Sequence, residues 1–347
     1  MNSTTAEENP RRAAQEQALL VCPAVFSYHH SIKAEFESLG YATTWWSDRA
    51  SDDTFHKAGL RLLPDLVARR STATFMRQLN RLDAQAISRV LVVKGEGMSD
   101  EVIKALRARL PNAHLSLYFW DSVENAPRAR AIAPLFDDVA TFDPVDAQTL
   151  GWTYRPLFAR NESIAPPLAE ADLRYDWCFI GTLHSDRYRV IERLRRSAPQ
   201  RKAFFFGFAP SRLLLAARYL RDPSLRKASA GSVSHHAMPV AQVVAAVGAS
   251  RAMLDVEHPR QRGLTMRTIE TLLSGRKLIT TNRYIADSDL FDPSRVHVID
   301  RHAPQVPDGF YSSPFKPIDD KTRARYSLRH WVTEVAGLPV SARTVDH

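Results

Sequence analysis

The stretch DVEHPRQRGLTMRTIETLLSGRKLITTN, residues 255–282, decides the fold of this chain. It continues an apolar run that begins at residue 251 and reads as a strand. A polar loop with Gly263 follows, and then a helix that opens near Thr265 and carries apolar residues at helical spacing. After a turn at Gly275, the apolar run 277–280 reads as a second strand. A strand, a helix and a strand in that order predict two parallel strands joined by a crossover helix.

The same alternation extends through the rest of the chain. Apolar runs such as ALLVCPAVF (18–26) and RVLVVKGEG (89–97) read as strands buried on both faces, with helix-like segments between them. A segment rich in proline and polar residues divides the pattern into two halves. The sequence therefore predicts a disordered leader over 1–17, an α/β domain over 18–150, a linker over 151–174, a second α/β domain over 175–318, and a C-terminal helix and tail over 319–347 that packs back on the first domain.

The composition and charge of the chain limit the classes of binding partner to be considered. The chain has 347 residues, of which 44% are hydrophobic and 24% charged, as is ordinary for a globular protein. The formal net charge of +9 comes from scattered Lys and Arg residues, without a basic block, which argues against nucleic acid. Three interpretations stay open: an anionic small ligand, attraction to an anionic membrane surface, and a basic solubilising surface.

Cysteine usage and hydropathy favour the cytoplasm. Cys22 and Cys178 each lie within an apolar run and are predicted to be buried small hydrophobes in a reducing compartment. The polar N-terminus lacks the apolar segment of a signal peptide. No run approaches the ~20 apolar residues that a transmembrane helix needs. We therefore expect any association with a membrane to be peripheral.

The start of the helix after residue 263 is the first predicted binding site. Helix N-termini present unpaired N–H groups and a partial positive charge, and so they bind phosphate. Gly263 would let the backbone approach a ligand closely, with Thr265 as the N-cap. Arg267 can pair with a diphosphate, and Glu270, on the same helix face, can accept hydrogen bonds from ribose hydroxyls. The alternative is that Arg267 and Glu270 form a solvated pair and Gly263 only makes a turn.

A second predicted site is the strand-to-helix turn in FIGTLHSDRY, residues 179–188. The predicted strand ends at Gly181, and the side chains of Thr182 and Ser185 with the backbone amides can cradle a phosphate. Arg187 adds positive charge. The alternative is a plain turn in which Ser185 or Asp186 caps the next helix.

A third set of polar residues follows predicted strands of the first domain, where parallel sheets build their sites. Glu96 and Asp121 are candidates for a general base that activates a hydroxyl group. His29, with its neighbour His30, is a rival base. In the alternative, Glu96 decorates a solvated turn, Asp121 caps a helix, and the histidines are packed or solvated.

The sequence predicts no metal site and no dinucleotide or Walker-type loop. His235 and His236 are adjacent, so they would not both point at one metal ion from a helix. The Asp287 and Asp289 pair falls in a loop rather than at the end of a strand. Kinases and dehydrogenases with the usual glycine-rich fingerprints are therefore disfavoured.

Three stretches carry a resemblance to a known family. GLTMRTIETLLSGRKLITTN (263–282) is similar to the donor-site helix of GT-B glycosyltransferases, in which a glycine-containing loop, a helix with a ribose-binding glutamate, a small-residue turn and a strand follow in that order. With FIGTLHSDRY (179–188) and YFWDSVEN (118–125), it resembles bacterial capsular and lipopolysaccharide biosynthesis proteins of glycosyltransferase type. The resemblance implies two Rossmann-like α/β domains with an interdomain cleft.

The resemblance also implies a function. It predicts metal-independent transfer from a nucleotide-sugar donor to a glycan or lipid-linked acceptor in surface polysaccharide biosynthesis. No cofactor is implied, and the reaction would take place in the cytoplasm or at the inner face of the membrane. The predicted catalytic residues are Glu96, Asp121 and His29. The predicted donor-binding residues are Gly181, Thr182, His184, Ser185, Arg187, His258, Gly263, Leu264, Thr265, Arg267 and Glu270.

One departure from the family keeps two alternatives open. Many GT-B enzymes carry a further glutamate eight residues before the ribose-binding one, and Arg262 occupies that position here. The stereochemical outcome of transfer therefore stays open. The chain can instead be a non-catalytic nucleotide-binding or scaffold homologue. A nucleotide-sugar epimerase of the same fold is the other alternative, and it would convert free sugar nucleotide without an acceptor.

Overall fold

A computed structural model describes residues 15–48, 64–209, 211, 215–216, 219–220, 225 and 232–339, with only the backbone over 64–71. Its strands are β1 (Gln17–Val21), β2 (Ala42–Trp46), β3 (Ile87–Val93), β4 (His114–Phe119), β5 (Asp138–Thr141), β6 (Thr153–Tyr154), β7 (Tyr175–Thr182), β8 (Ala203–Phe208), β9 (Val233–Ser234), β10 (Ser250–Asp255), β11 (Lys277–Thr280) and β12 (Val296–Val298). Its helices are α1 (Tyr28–Ser38), α2 (Pro64–Leu79), α3 (Asp100–Arg109), α4 (Ala129–Ile132), α5 (Pro144–Leu150), α6 (Arg187–Ser197), α7 (Val240–Gly248), α8 (Met266–Leu273), α9 (Asp308–Ser312), α10 (Asp320–Arg325) and α11 (Leu328–Val335).

Parts of three predicted segments lie outside the described residues. These are most of the predicted leader, a predicted helix over 54–70 as far as residue 63, and much of a predicted helix over 211–221. Within the described ranges, no helix combines the length and the apolar character that crossing a membrane requires.

The first sheet has the strand order β2-β1-β3-β4-β5-β6. Strand β1 pairs in parallel with β2 on one side and with β3 on the other, so the chain changes direction across the sheet between β1 and β3. The predicted strand 18–26 is shorter than expected because Pro23 has no N–H group with which to extend the ladder beyond Cys22. The apolar side chains of β1 and β3 form the core of this sheet.

The second sheet has the strand order β12-β11-β10-β7-β8-β9. From β7 the chain moves outward through β8 and β9, then returns to place β10 beside β7 and moves outward again on the other side. This is the order of a doubly wound nucleotide-binding sheet, and its switch point lies between β7 and β10. Buried residues of β7, β10 and α6 form the core around Trp177, Phe179 and Leu194.

Helices α3 and α8 begin, and α8 ends, at residues whose side chains or backbone favour a helix end. Ser99 accepts a hydrogen bond from the Val102 amide and so caps the start of α3. Thr265 accepts one from the Thr268 amide at the start of α8, as predicted. Gly275, just after α8, has a φ of 67°, a conformation that favours glycine, and the chain turns there into β11.

The described structure divides into two compact units. Of the described residues, those up to Tyr118, those in Pro127–Val139 and those from Val335 onward form the first unit, and those in Phe119–Ala126 and Ala140–Glu334 form the second.

The segment 151–174, predicted as a linker, is partly ordered and partly buried. Strand β6 lies within it and pairs with β5, and residues 155–160 are buried. The Phe158 ring packs 4.6 Å from Trp331, and the Ala159 amide donates to the Tyr326 carbonyl. The predicted C-terminal helix over 319–337 is two helices, α10 and α11, which are separated at Tyr326 and Ser327, where Ser327 bridges to Ala159.

Candidate functional site

The second unit brings polar residues together at the carboxyl ends of β7 and β10. Gly181 and Thr182 end β7, and Asp255 ends β10, so they flank the switch point of the second sheet. Doubly wound sheets bind their ligands in the crevice at this place, because the loops of the two flanking strands turn away from each other there.

Asp255 organises the start of α8. Its buried carboxylate accepts hydrogen bonds from the hydroxyls of Thr265 (2.5 Å) and Thr268 (2.8 Å) and from the Arg267 guanidinium (3.2 Å). Burial alone would raise the pKa of Asp255, but the charges of Arg267 and Arg187 and the two hydroxyls hold it below its ordinary value. The ionised Asp255 therefore fixes the helix cap and the arginine of the first turn together.

The first turn of α8 presents the groups that an anion needs. The first amides of a helix have no partner within the helix, and the Thr265 hydroxyl caps only the Thr268 amide. Arg267 is partly exposed, and its NH2 atom lies so close to Gly181 that a Cβ atom there would approach it to 3.1 Å. Gly181 thus lets the Arg267 guanidinium lie against the end of β7, beside the helix N-terminus.

Arg187 lies between the ends of β7 and β10 and is buried. Its buried guanidinium donates to the Val256 carbonyl and, at 3.0 Å, to the Thr182 carbonyl. Burial lowers the pKa of Arg187 to about 10, which leaves it charged at neutral pH. Arg187 therefore joins the ends of β7 and β10 and adds positive potential from beneath the site.

Arg301 was not among the residues predicted from the sequence, because its partners follow three other strands. Located after β12, it donates to Asp186 after β7 (2.7 Å), to Glu257 after β10 and to Thr281 after β11 (3.1 Å). The Thr281 hydroxyl also donates to Glu257. Burial raises the pKa of Glu257 above its ordinary value against the effects of Thr281 and Arg301. This network holds the loops around the switch point in one arrangement.

Two predicted histidines meet above the same strand ends. The His184 and His258 rings lie 5.6 Å apart, and Ser185, with a φ of 49°, donates to the His184 carbonyl. The Arg260 amide donates to Nδ1 of His258, which assigns the ring proton of the neutral imidazole to Nε2. Burial and the neighbouring charges of Arg260, Arg187 and Arg301 lower the pKa of His258. At neutral pH this ring is a neutral hydrogen-bond donor.

Gly263 is required for a reason that the sequence did not reveal. A Cβ atom there would lie 2.4 Å from the Phe142 ring and 2.6 Å from the Phe142 carbonyl, so the loop packs directly on that residue. The side-chain amide of Asn282 donates to the carbonyls of Arg262 (3.1 Å) and Gly263 (3.3 Å). The next residue, Leu264, is buried. These contacts set the path by which the chain enters α8.

Glu270 lies on α8 one turn beyond Arg267, in a sheltered position. Its buried Oε1 atom accepts no hydrogen bond from the described residues, and the nearest cationic atom, Nε of Arg160, is 4.0 Å away. Burial raises the pKa of Glu270 to about 7 against the opposing influence of Ser163, Arg160 and Arg267. A buried carboxylate oxygen that accepts no hydrogen bond is a group that a ligand hydroxyl can satisfy.

Comparison with known proteins gives the fold. No protein-family model and no curated protein sequence match the chain. Sucrose-phosphate synthase from Thermosynechococcus elongatus matches it with a TM-score of 0.55 at 12% identity, over 92% of this chain and 95% of that one. The Anabaena protein HepE, in complex with UDP and glucose, matches with a TM-score of 0.52 at 9% identity, over 92% and 95%. A glycosyltransferase from Rickettsia africae matches with a TM-score of 0.51 at 11% identity, over 92% and 94%.

This chain has the GT-B fold. The prediction of two Rossmann-like α/β domains of GT-B type is therefore confirmed. At identities of 9% to 12%, the likeness shows the fold and does not by itself assign a reaction.

The predicted catalytic residues are distributed over both units of the GT-B chain. Glu96 forms a half-buried ion pair with Lys94 (3.0 Å), so it does not sit on a solvated turn. His29 is buried, with its ring between His30 (4.0 Å) and Trp45 (4.3 Å). Both residues belong to the first unit, whereas Asp121 is half-buried in the loop after β4 and belongs to the second.

Arg262 occupies the position at which many GT-B enzymes carry a glutamate, and here it is close to several carboxylates. Its guanidinium lies 3.4 Å from Glu124. Burial alone would lower the pKa of Arg262, but Asp143, Glu124 and Asp146 raise it above its ordinary value. Arg262 therefore remains charged and offsets an acidic group within the second unit.

The pairs considered as metal ligands in the sequence have other contacts. His235 contacts the Ala209 carbonyl (2.7 Å) through Nδ1. Asp289 accepts hydrogen bonds from Tyr326 (2.5 Å) and Arg325 (2.8 Å). Among the side chains that the structure describes, no group of three or more His, Cys, Asp or Glu residues is arranged to hold a metal ion.

Proposed function

We propose that the chain is a glycosyltransferase that binds a nucleotide-sugar donor at the carboxyl ends of β7 and β10. The observation that carries the proposal is the start of α8 at this switch point, where Asp255 holds Thr265, Thr268 and Arg267 in place. A helix N-terminus with a partly exposed arginine fits a diphosphate, and a GT-B fold fits a sugar nucleotide.

The donor diphosphate would lie on the first turn of α8. The amides of residues 263–266 and the Arg267 guanidinium would stabilise the leaving nucleotide diphosphate, with the 181–185 loop on the other side. Neutral His258, through Nε2–H, and His184 would add hydrogen bonds from the strand ends. Preorganised donors and charges of this kind usually contribute more to catalysis than any other single effect. We propose that these groups carry the diphosphate charge without a metal ion.

Glu270 would hold the ribose. The two ribose hydroxyls are hydrogen-bond donors, and the Oε1 atom of Glu270 has an unfilled acceptor site. Leaving that buried acceptor without a hydrogen bond costs free energy. A ribose hydroxyl that donates to it removes this cost. This favours a nucleotide over a simple phosphorylated sugar.

The acceptor and the general base belong to the same proposal. We infer that Glu96, Asp121 or His29 activates a hydroxyl of a glycan or lipid-linked acceptor in surface polysaccharide biosynthesis. The net charge of +9 supports an anionic donor and is compatible with peripheral association with the inner face of a membrane. A cytoplasmic location accords with the nucleotide-sugar donor and with the two free cysteines, which are buried.

A non-catalytic nucleotide-binding protein is the second candidate. Arg262, paired with Glu124, supports it, because the carboxylate of many GT-B enzymes is absent from that position. The two candidates differ in turnover. A transferase releases nucleotide from a sugar nucleotide, at least slowly to water, whereas a binding protein leaves the sugar nucleotide intact.

Thermal unfolding with UDP, GDP and CMP tests the donor site. UDP comes first, because HepE was solved with UDP and glucose. At ~100 times its dissociation constant, a nucleotide that binds only the folded state stabilises it by about 2.7 kcal/mol. We expect one nucleotide to raise the unfolding temperature, and Glu270→Ala to weaken its binding.

The matched control is Glu192→Ala on α6, since this glutamate is similarly sheltered, with 14% of its side chain exposed against 19% for Glu270. The control should keep the wild-type affinity. No shift with any of the three nucleotides would contradict the donor site, and an unchanged affinity in Glu270→Ala would remove the ribose role.

A further inference from the structure

Aromatic and imidazole rings cluster at the carboxyl ends of β1 and β2 in the first unit. The loop after β1 and the start of α1 provide Phe26, Tyr28, His29 and His30, and β2 provides Trp45. We call these five residues the ring cluster. The proposed donor site uses none of them, and only His29 entered the proposal as a base.

The rings are held in contact with one another. His29 lies at the centre, 4.0 Å from His30 and 4.3 Å from Trp45. The indole N–H of Trp45 donates to the Cys22 carbonyl at 3.0 Å, which fixes the Trp45 ring against the end of β1. Phe26 meets Tyr28 edge to face at 6.5 Å. The cluster is therefore an ordered surface of ring faces and edges.

Phe26 is presented to solvent in an unusual backbone conformation. Its side chain is 57% exposed, and its φ is 47°, followed by a φ of 61° at Ser27. Bulky residues seldom adopt the left-handed region, and those that do concentrate at ligand sites, where the surrounding structure enforces the conformation. The conformation fixes the direction in which the exposed Phe26 ring leaves the chain.

The position in the sheet also points to a ligand. The chain reverses its direction across the first sheet between β1 and β3, and the crevice beside such a switch point is where parallel sheets bind ligands. The loop after β3 also carries a non-glycine residue in the left-handed region, Lys94, with a φ of 69°. Both loops that flank the switch point thus hold backbone conformations that the sheet alone does not require.

We propose that the ring cluster is a stacking platform for a pyranose ring of the saccharide acceptor, with Phe26 as its principal face. In a β-pyranoside of glucose, galactose or mannose, one face of the ring presents only axial C–H groups, and these pack against the electron-rich face of an aromatic ring. The hydroxyls at the edge of the sugar remain available to the imidazole of exposed His30. This inference rests on the proposed transferase function, and it names the part of the first unit that receives the acceptor.

Saturation-transfer difference NMR tests the platform, with methyl β-D-glucopyranoside, methyl β-D-galactopyranoside and methyl β-D-mannopyranoside as probes. In the wild-type chain, we expect at least one probe to receive saturation at its ring C–H protons. Phe26→Ala should weaken that probe's binding about fivefold, in keeping with the loss of one stacked ring. The control Leu168→Ala removes another exposed apolar side chain, in the second unit, and should keep the signal.

The variant Phe26→Gly distinguishes a role of Phe26 in sugar binding from a role in the stability of the fold. Glycine adopts a positive φ without strain, so this variant should unfold at the wild-type temperature or above while it loses the sugar signal. A lower unfolding temperature with an intact sugar signal would show that Phe26 serves the fold, and it would overturn the platform.

Two further outcomes would overturn the platform and leave the donor site standing. One is a nucleotide-induced thermal shift in a wild-type chain that binds none of the three glycosides. The other is adsorption to phosphatidylglycerol vesicles that Phe26→Ala abolishes, again without a glycoside signal, which would make Phe26 a membrane contact. By contrast, glycoside binding without any nucleotide shift would contradict the transferase proposal and keep the platform.

Discussion

Asp255 shows how a single buried charge can define a binding surface. Its carboxylate accepts hydrogen bonds from two threonine hydroxyls and from the Arg267 guanidinium. The positions of the helix cap and of Arg267 are therefore fixed by the same buried group. Removing one partner of such a buried set costs several kcal/mol, because the remaining charge is left uncompensated. The sequence pointed to Thr265 and Arg267, but it gave no signal that Asp255, ten positions before Thr265, joins them.

Glu270 leads to a prediction about pH. Its pKa is raised from 4.5 to about 7, so the folded chain binds more protons than the unfolded chain in this interval. The contribution of Glu270 to stability therefore falls as the pH rises. Each pKa unit corresponds to about 1.4 kcal/mol, and the loss between pH 5 and pH 8 is roughly 2 to 3 kcal/mol.

The measurement is the free energy of unfolding in urea at several pH values, for the wild type, Glu270→Gln and the control Glu192→Gln. Relative to the wild type, Glu270→Gln should gain stability steadily from pH 5 to pH 8, whereas the control should not. Affinity for a sugar nucleotide should change in the opposite direction and rise with pH, because ribose hydroxyls donate to the ionised carboxylate. Parallel pH profiles in all three chains would contradict the sheltered position of Glu270.

At the scale of elements, the loop into α8 yields a paired glycine prediction. Gly263→Ala places a Cβ atom against both the ring and the carbonyl of Phe142, and a backbone atom cannot rotate away. We expect a loss of about 1 to 3 kcal/mol, typical of overpacking, together with weaker nucleotide binding.

Gly309→Ala is the matched control for this prediction. It lies within α9 with nothing within 4 Å of its added Cβ atom, so it should be neutral or slightly stabilising. Urea unfolding of both variants measures the difference. Equal stability in the two would mean that residues 262–264 do not pack on Phe142 as described.

Elements also show what the sequence can and cannot predict. Thr265 caps its helix as predicted, because a cap is a local contact between residues three apart. The burial of residues 155–160 was not predictable, since it depends on α10 and α11, about 170 residues later. Arg301 was missed for the same reason: four strand ends must come together before its partners become neighbours.

At the scale of the whole molecule, the two sheets share a feature. Among the described residues, the non-glycine residues with positive φ are Phe26, Ser27, Lys94 and Ser185. All four follow strands that flank a switch point, namely β1 and β3 in the first sheet and β7 in the second. The unusual backbone conformations of the chain are therefore concentrated where a ligand is expected. Strand alternation predicted the sheets, but the strand order that creates these points came only from the structure.

The most direct test of the central claim is a crystal structure of the chain with the nucleotide, or its sugar nucleotide, that raises the unfolding temperature. We expect the diphosphate within hydrogen-bonding distance of the first α8 amides and Arg267, and the ribose hydroxyls on Glu270. A nucleotide bound away from the carboxyl ends of β7 and β10, or a ribose directed away from Glu270, would contradict the proposed donor site.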